Sequence, residues 1–299
     1  MLFVASTRNY FCVPRWIAMR KGLFAAEGID FRVEEVDGTD QSGLRVIART
    51  AEISTSAMEQ VIIDRDAGGP LIAIAGNVNK LPFSLIAHPS IKTIAGLRDK
   101  VIGVSSLKTG TSAILTKLLA AHGLHEGDYK LLAVGPIDTR WAMLKSGEID
   151  AGLQGMPQNL MAIDAGFTDL GSNDELGPAL QFASFTVHEA WGRDNRELLV
   201  RFLRAMLRAF EMFYTDRPLA AEVAMQYGGF SHDYAERAWE AYATDQVFPR
   251  DGDLNIAGLK AIIALSAEAR GVPERARAAP EKYMDRSYLL EARRTLHQV

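Results

Sequence analysis

The chain is short of the residues that most often announce a chemistry. Its 299 residues include one cysteine, Cys12, which excludes an intrachain disulfide and a thiolate metal cage, so the fold must stand on packing. The six histidines do not fall at metal-ligand spacing: His122 and His125 lie across an expected helix end with no acidic partner. No Ser-His-Asp pattern, glycine-rich dinucleotide fingerprint or kinase signature is present, and no apolar run approaches the roughly 20 residues that cross a bilayer. Neither sign of charge dominates: 33 Lys and Arg against 37 Asp and Glu leave a net charge of −4. That balance supplies no basic field for nucleic acid or an anionic membrane, so any basic site must be local. No metal and no cofactor are expected.

The opening MLFVASTRNYF lacks both the basic leader and the apolar core of a signal peptide and is expected to enter a strand at once. Cytoplasmic placement follows if Met1 is the natural start, periplasmic placement if a leader has been removed.

With 48% hydrophobic and 23% charged residues, the chain is long enough to build two lobes with separate cores. Leu2 to Ala5 reads as a buried strand followed by a polar loop. Pro14 then opens a helix with Trp16, Ile17, Leu23 and Phe24 at helical spacing. Ile29 to Val36 alternates as a strand does, Glu52 to Ser54 reads as a short strand, and Met58 to Ala67 as a helix. Leu71 to Ala75 and Phe83 to Ala87 are apolar runs bounded by turn residues, the second leading out of the first lobe. The scheme then repeats: strand Val101 to Val104, helix Thr111 to His122, strand Leu131 to Val134, helix Thr139 to Lys145, strand Ile149 to Gly152. Such alternation argues for parallel sheets covered on both faces. Phe182 to Val187 is expected to carry the chain back, after which Arg193 to Tyr214, Leu219 to Tyr227, Asp233 to Tyr242 and Ile256 to Ala269 are helical in period.

Four passages in register resemble the type 2 periplasmic binding proteins, in the branch that includes nitrate, sulfonate, taurine and thiamine-precursor binding proteins (NitT/TauT-like). They are Lys21-Gly22-Leu23-Phe24 through Asp30, Leu97 through Val104, the loop Ser105 to Ser112, and Leu144 through Ala151. The resemblance implies an α/β fold of two lobes, each with a parallel-rich sheet, and a helical C-terminal region. Lobe 1 is expected at 1–87 and 188–299, lobe 2 at 88–187, with the ligand cleft between them. It implies hinge closure on a small anionic or aromatic ligand and, for an exported member, an ABC permease as partner, with no membrane insertion. The chain also resembles the aromatic sulfinate desulfinases of the same fold in placing a cysteine in the loop after the first strand. Open parallel sheets independently place their crevices beyond the carboxyl ends of the strands.

The loop Ser105, Ser106, Lys108, Thr109, Gly110, Thr111 and Ser112 gathers hydroxyls and backbone donors at a helix start and suits a carboxylate, sulfonate or phosphate; helix capping is its simpler role. Ser54, Thr55 and Ser56 are candidates for the facing half of the cleft, with capping again the alternative. Tyr10, Phe11 and Trp16 are expected to cover an apolar or aromatic portion of the ligand, and Gly155, Met156, Pro157 and Gln158 fall at the cleft by position. Arg8, Arg49, Lys80 and Arg140 are candidate charge partners for an anion, against the reading that each is solvated. Cys12 is a candidate nucleophile at a helix mouth near Arg8 or Arg15; otherwise it packs as a small hydrophobe beneath Trp16. Three functions follow: an ABC-type solute-binding protein, a cofactor-free cytoplasmic enzyme of desulfinase, lyase or hydrolase type using Cys12, and a cytoplasmic ligand sensor.

Overall fold

A computed structural model of the chain describes residues 1–299 other than 6–8, 37–40, 82, 106, 108–109, 172–179 and 297–299. Among these residues the apolar runs become ten strands: β1 Leu2–Ala5, β2 Arg32–Glu35, β3 Ile53–Ala57, β4 Leu71–Val78, β5 Phe83–Ala87, β6 Val101–Val104, β7 Lys130–Ala133, β8 Ala151–Gly155, β9 Thr168–Asp169 and β10 Ala183–His188. They form two five-stranded sheets, ordered β2-β1-β3-β10-β4 and β7-β6-β8-β5-β9. In the first sheet β1 runs parallel to β2 and β3, and β10 runs antiparallel to β3 and β4. In the second, β6 runs parallel to β7 and β8, and β5 antiparallel to β8 and β9. Each sheet is therefore parallel-rich, with one reversed strand next to its edge strand.

The reversed strands shift the expected boundaries. Divisions at 87/88 and 187/188 put β5 with the first lobe and β10 with the second. Hydrogen bonding puts each in the opposite sheet: Phe83 pairs with Gly155, and Ala183 pairs with both Ala57 and Val78. The chain thus changes sheets between Val78 and Phe83 and again between Asp169 and Ala183. A run of buried apolar residues signals a strand but carries no information about which sheet it joins.

Local sequence accounts for the elements around the cleft. Val101 to Val104 is apolar throughout because helices cover the second sheet on both faces, and Gly103 lies where an added Cβ would come 2.6 Å from Ile149 Cδ1. The helix Ile137–Ser146 stops at Gly147, which adopts φ 78°, a left-handed conformation that glycine enters without steric cost.

In the first half, the helix Arg196–Thr215 buries Leu199, Phe202, Leu203, Met206, Phe210 and Phe213, spaced three and four apart as one face of a helix requires. It packs against the helices Val13–Arg20 and Ser287–Thr295. From its flank Arg204 and Arg208 reach the Glu27 carboxylate, Arg204 Nε at 3.0 Å from Oε2 and Arg208 Nη1 at 3.0 Å from Oε1. The Glu27 side chain is only 1% exposed, so this is a buried charge fully answered by partners.

One C-terminal helix joins the halves. Ile256–Ala269 packs against Met58–Asp66 of the first half and Gly110–Ala121 of the second. Leu259 and Ile263 share a core with β4, β5 and β6. Lys117 Nζ meets Glu268 2.6 Å away on the outer side. At the start of this helix the Asn255 N–H donates to Gln181 Oε1 at 2.7 Å, anchoring it to the second crossing between the sheets. Among the described residues no helix is long and apolar enough to cross a membrane.

Candidate functional site

A cavity of about 110 Å³ lies where the two sheets face one another. Its wall is built from the segments that follow strands. Asn9 and Phe11 come from the turn after β1, Thr55 and Ala57 from β3, and Glu59 from the first turn of Met58–Asp66; Ser105 follows β6, and Pro136, Ile137 and Arg140 follow β7. Thr111 and Ile114 of Gly110–Ala121, Phe83 of β5, Ile262, and Leu180, Phe182 and Ala183 of the second crossing complete it. This is the crevice beyond the carboxyl ends of parallel strands that topology predicts.

Arg140 sets the chemistry. The residue is 2% exposed and its guanidinium joins β8 to the residues that follow β6 and β7: Nε donates to Leu153 O at 2.9 Å, and Nη1 to Gly135 O and Ser105 Oγ, both at 2.7 Å. Burial pushes its pKa down to about 10, opposed by the Asp138 charge, so the group is still a cation at neutral pH. Among the described residues no carboxylate comes within ion-pair distance of it. A buried cation without a counter-ion is costly. A cavity at its face offers the place for an anion, with Ser105 and Thr111 as hydroxyl partners.

The apolar wall is aromatic. Phe11, Phe83 and Phe182 meet edge to face, with ring centroids 5.4 Å apart for Phe11 and Phe182, 5.3 Å for Phe83 and Phe182, and 6.2 Å for Phe11 and Phe83. Ile114, Ile137, Leu180 and Ile262 extend it. Such a wall suits the apolar body of a small organic molecule.

Of the sequence-derived candidates the cavity gathers Phe11, Thr55, Ser105, Thr111 and Arg140. Ser54 and Ser56 turn the other way: β3 extends through Ala57, and strand alternation sends residues 54 and 56 to the opposite face, where their hydroxyls bond each other at 2.8 Å. Tyr10 is fully buried, with its hydroxyl donating to Ala235 O at 2.8 Å, and burial raises its pKa above the ordinary phenol value. Trp16 stacks on Tyr227 with centroids 6.2 Å apart. Both rings belong to the first core, because the C-terminal helices close over the Val13–Arg20 helix.

Cys12 is 8% exposed and part of the same core, its Sγ 3.9 Å from Asn9 Oδ1; it does not line the cavity. Met156, before a cis peptide bond to Pro157, packs against that core as well. Gly110 opens its helix as expected. Arg8, Ser106, Lys108 and Thr109 lie outside the described residues. Lys80 lines a separate shallow depression with Asn79 and Gln246, and His88 is exposed, bonded to Ser90 Oγ at 2.8 Å. Among the described residues no group of three or more His, Cys, Asp or Glu could hold a metal ion.

Glu59, Phe83, Phe182, Leu180 and Ile262 were not singled out by sequence. An acidic side chain two residues past the end of β3 was the available signal for Glu59, but it reads equally well as a first-turn helix residue.

The family model described as NMT1/THI5 like matches residues 9–220. Among solved structures, the alkanesulfonate-binding protein SsuA from Xanthomonas axonopodis pv. citri, bound to MOPS, is 17% identical; the match covers 95% of this chain and 97% of that one at a TM-score of 0.77. The periplasmic nitrate-binding protein NrtA from Synechocystis PCC 6803 is 12% identical over 100% of this chain and 89% of that one, at 0.74. A DszB mutant in complex with biphenyl-2-sulfinic acid is 14% identical over 98% and 99%, at 0.68. A comparison with curated protein sequences finds no match.

Proposed function

Because the chain belongs to the NMT1/THI5-like family, we propose that it is a solute-binding protein that closes two lobes around a small organic anion with an apolar body. The observation that carries this reading is Arg140: a buried cation, held by neutral oxygens alone among the described residues, lines a cavity that is otherwise mainly apolar. Ligand binding places the missing counter-charge in a low-dielectric site, where a charge-assisted hydrogen bond is strongest. The polar residues come from both sides of the cleft, so a ligand touching both favours the closed arrangement by its differential affinity for it. Neighbours named for sulfonate and nitrate binding support an anionic ligand. In an exported form an ABC permease would receive it.

The enzyme reading depends on Cys12, and a thiol packed in the first core away from the cavity wall gives it less support.

Isothermal titration with benzenesulfonate and butanoate tests the proposal. The wild type binds at least one of them, and Arg140→Met weakens that binding about 10- to 100-fold, as loss of a hydrogen bond to a charged group implies. Undiminished affinity in a folded Arg140→Met protein would remove Arg140 from the site and sink the reading.

A further inference from the structure

The three phenylalanines around the cavity come from three separate places in the chain. Phe11 lies in the turn after β1, Phe83 opens β5, and Phe182 stands in the second crossing. Their rings meet at interplanar angles of 69° for Phe11 and Phe83, 60° for Phe11 and Phe182, and 87° for Phe83 and Phe182. Every pair is edge to face, an arrangement that the ring quadrupole favours. The backbone holds two of them in place. Phe182 donates its N–H to Val78 O, and its carbonyl accepts from the Met58 N–H, both at 2.9 Å. Phe83 lies over its register partner Gly155, where an added Cβ would come 2.9 Å from Phe83 Cε1, so the bare glycine makes room for the ring. Phe11 and Phe182 are half-buried and pack against both of the large cores. The cluster therefore stands at the junction of the two halves and borders the same cavity as Arg140.

We propose that Phe11, Phe83 and Phe182 are specificity-determining residues and that the ligand of this cleft is an aromatic acid with a single ring. The proposal rests on the reading that Arg140 takes the ligand's anionic group. A saturated ring of the same size carries more hydrogen and more apolar area, so burial alone gives it at least equal affinity. An aromatic ring entering the cluster meets the edges and faces of the phenylalanines with a quadrupole of its own, and each such pair is worth a few-fold in affinity beyond area. Preference for the flat ring therefore reports the phenylalanines and not general greasiness. Size sets the second limit. An apolar cavity of about 150 Å³ takes one benzene, and this one is about 110 Å³, which leaves no space for a second fused ring. The three rings thus act on choice among ligands, and the arginine on affinity for all of them.

Matched pairs test this by isothermal titration: benzenesulfonate against cyclohexanesulfonate, and benzoate against cyclohexanecarboxylate. The wild type binds the aromatic member of at least one pair about fivefold or more tighter than its saturated partner. The two-ring analogue of that acid, naphthalene-2-sulfonate or 2-naphthoate, binds about tenfold or more weaker than the single ring. Phe182→Leu and Phe11→Leu, each checked for folding by circular dichroism, keep an apolar wall without the quadrupole and bring the aromatic-to-saturated ratio to within about twofold. Arg140→Met weakens both members of the pair by a similar factor. Equal or tighter binding of the saturated member in each pair overturns the inference without any variant, and leaves the anion-binding reading standing. A two-ring acid bound as tightly as the single ring overturns it too, as does a ratio unchanged in both leucine variants. Failure of the wild type to bind any of these acids counts against the anion-binding reading and takes this inference with it.

Discussion

Glu27 and Arg140 are both buried charges, and the protein treats them in opposite ways. Glu27 receives Arg204 and Arg208 on its two oxygens, while Arg201 Nη1 donates to its backbone carbonyl at 3.0 Å. Every part of that carboxylate is answered within the fold, and the nearest function it has is to lock the Leu23–Ala26 turn of helix against Arg196–Thr215. Arg140 is held by two carbonyls and a hydroxyl and faces a cavity. Arg15 falls between them: among the described residues its guanidinium makes no hydrogen bond, yet it lies 5.1 Å over the Phe3 ring and 4.0 Å from Glu35. Burial alone therefore does not mark a functional charge. A charge with its counter-ion inside the fold is structural, and a buried one held by neutral oxygens at a cavity is the candidate for a site.

The largest effect is expected on the structural side. Glu27→Ala leaves Arg204 and Arg208 without their buried partner and should cost about 3–5 kcal/mol of unfolding free energy in a urea titration. Arg140→Met should do the reverse, changing stability by less than about 2 kcal/mol while weakening anion binding. If both variants lost stability equally, the distinction between the two charges would collapse.

Acid provides a third probe, through Asp66. Desolvation raises its pKa, but hydrogen bonds from Lys282 and Tyr283 and the charges of Lys282 and Arg275 outweigh it and hold the carboxyl below the usual carboxylate value. A folded-state pKa below the unfolded one adds stability that is fully present above the unfolded value near 4 and is lost as pH falls through the folded one. Asp66→Asn should remove about 1–2 kcal/mol at pH 7 and flatten the stability profile at acid pH, with no change in ligand affinity. The smallest effect belongs to Cys12→Ala: loss of a small buried side chain costs about 1 kcal/mol, and affinity stays within about twofold of wild type. A large loss of ligand affinity or of any turnover there would return Cys12 to the site.

Much of this architecture is legible in the sequence because period and punctuation are local. Ile256–Ala269 is the helix its periodicity predicts, and Met58–Asp66 ends one residue before the predicted Ala67. Less of the site is legible. Ser54 and Ser56 look like cleft residues until β3 extends through Ala57 and alternation turns both away. Tyr10 and Trp16 follow the first strand as cleft aromatics would, yet residues more than two hundred positions later, Ala235 and Tyr227, draw them into the core. Phe182 and Ile262 join the wall through a chain crossing and a helix that only the three-dimensional arrangement brings there. Arg140 carries no sequence mark of burial, since the oxygens that hold it come from Ser105, Gly135 and Leu153.

The pairing of Ala183 with Val78 has a consequence for how such a chain could be built or rebuilt. Val78 ends the last strand before the chain leaves the first sheet, and Ala183 begins the strand on which it returns; the two are antiparallel register partners. The points of departure and return are thus as close as the two sides of a β-hairpin. A short turn joining them would complete the first sheet without the intervening hundred or so residues. In the logic of the chain the second half is a guest, inserted at a hairpin tip of its host, and the cavity lies along the seam where host and guest meet.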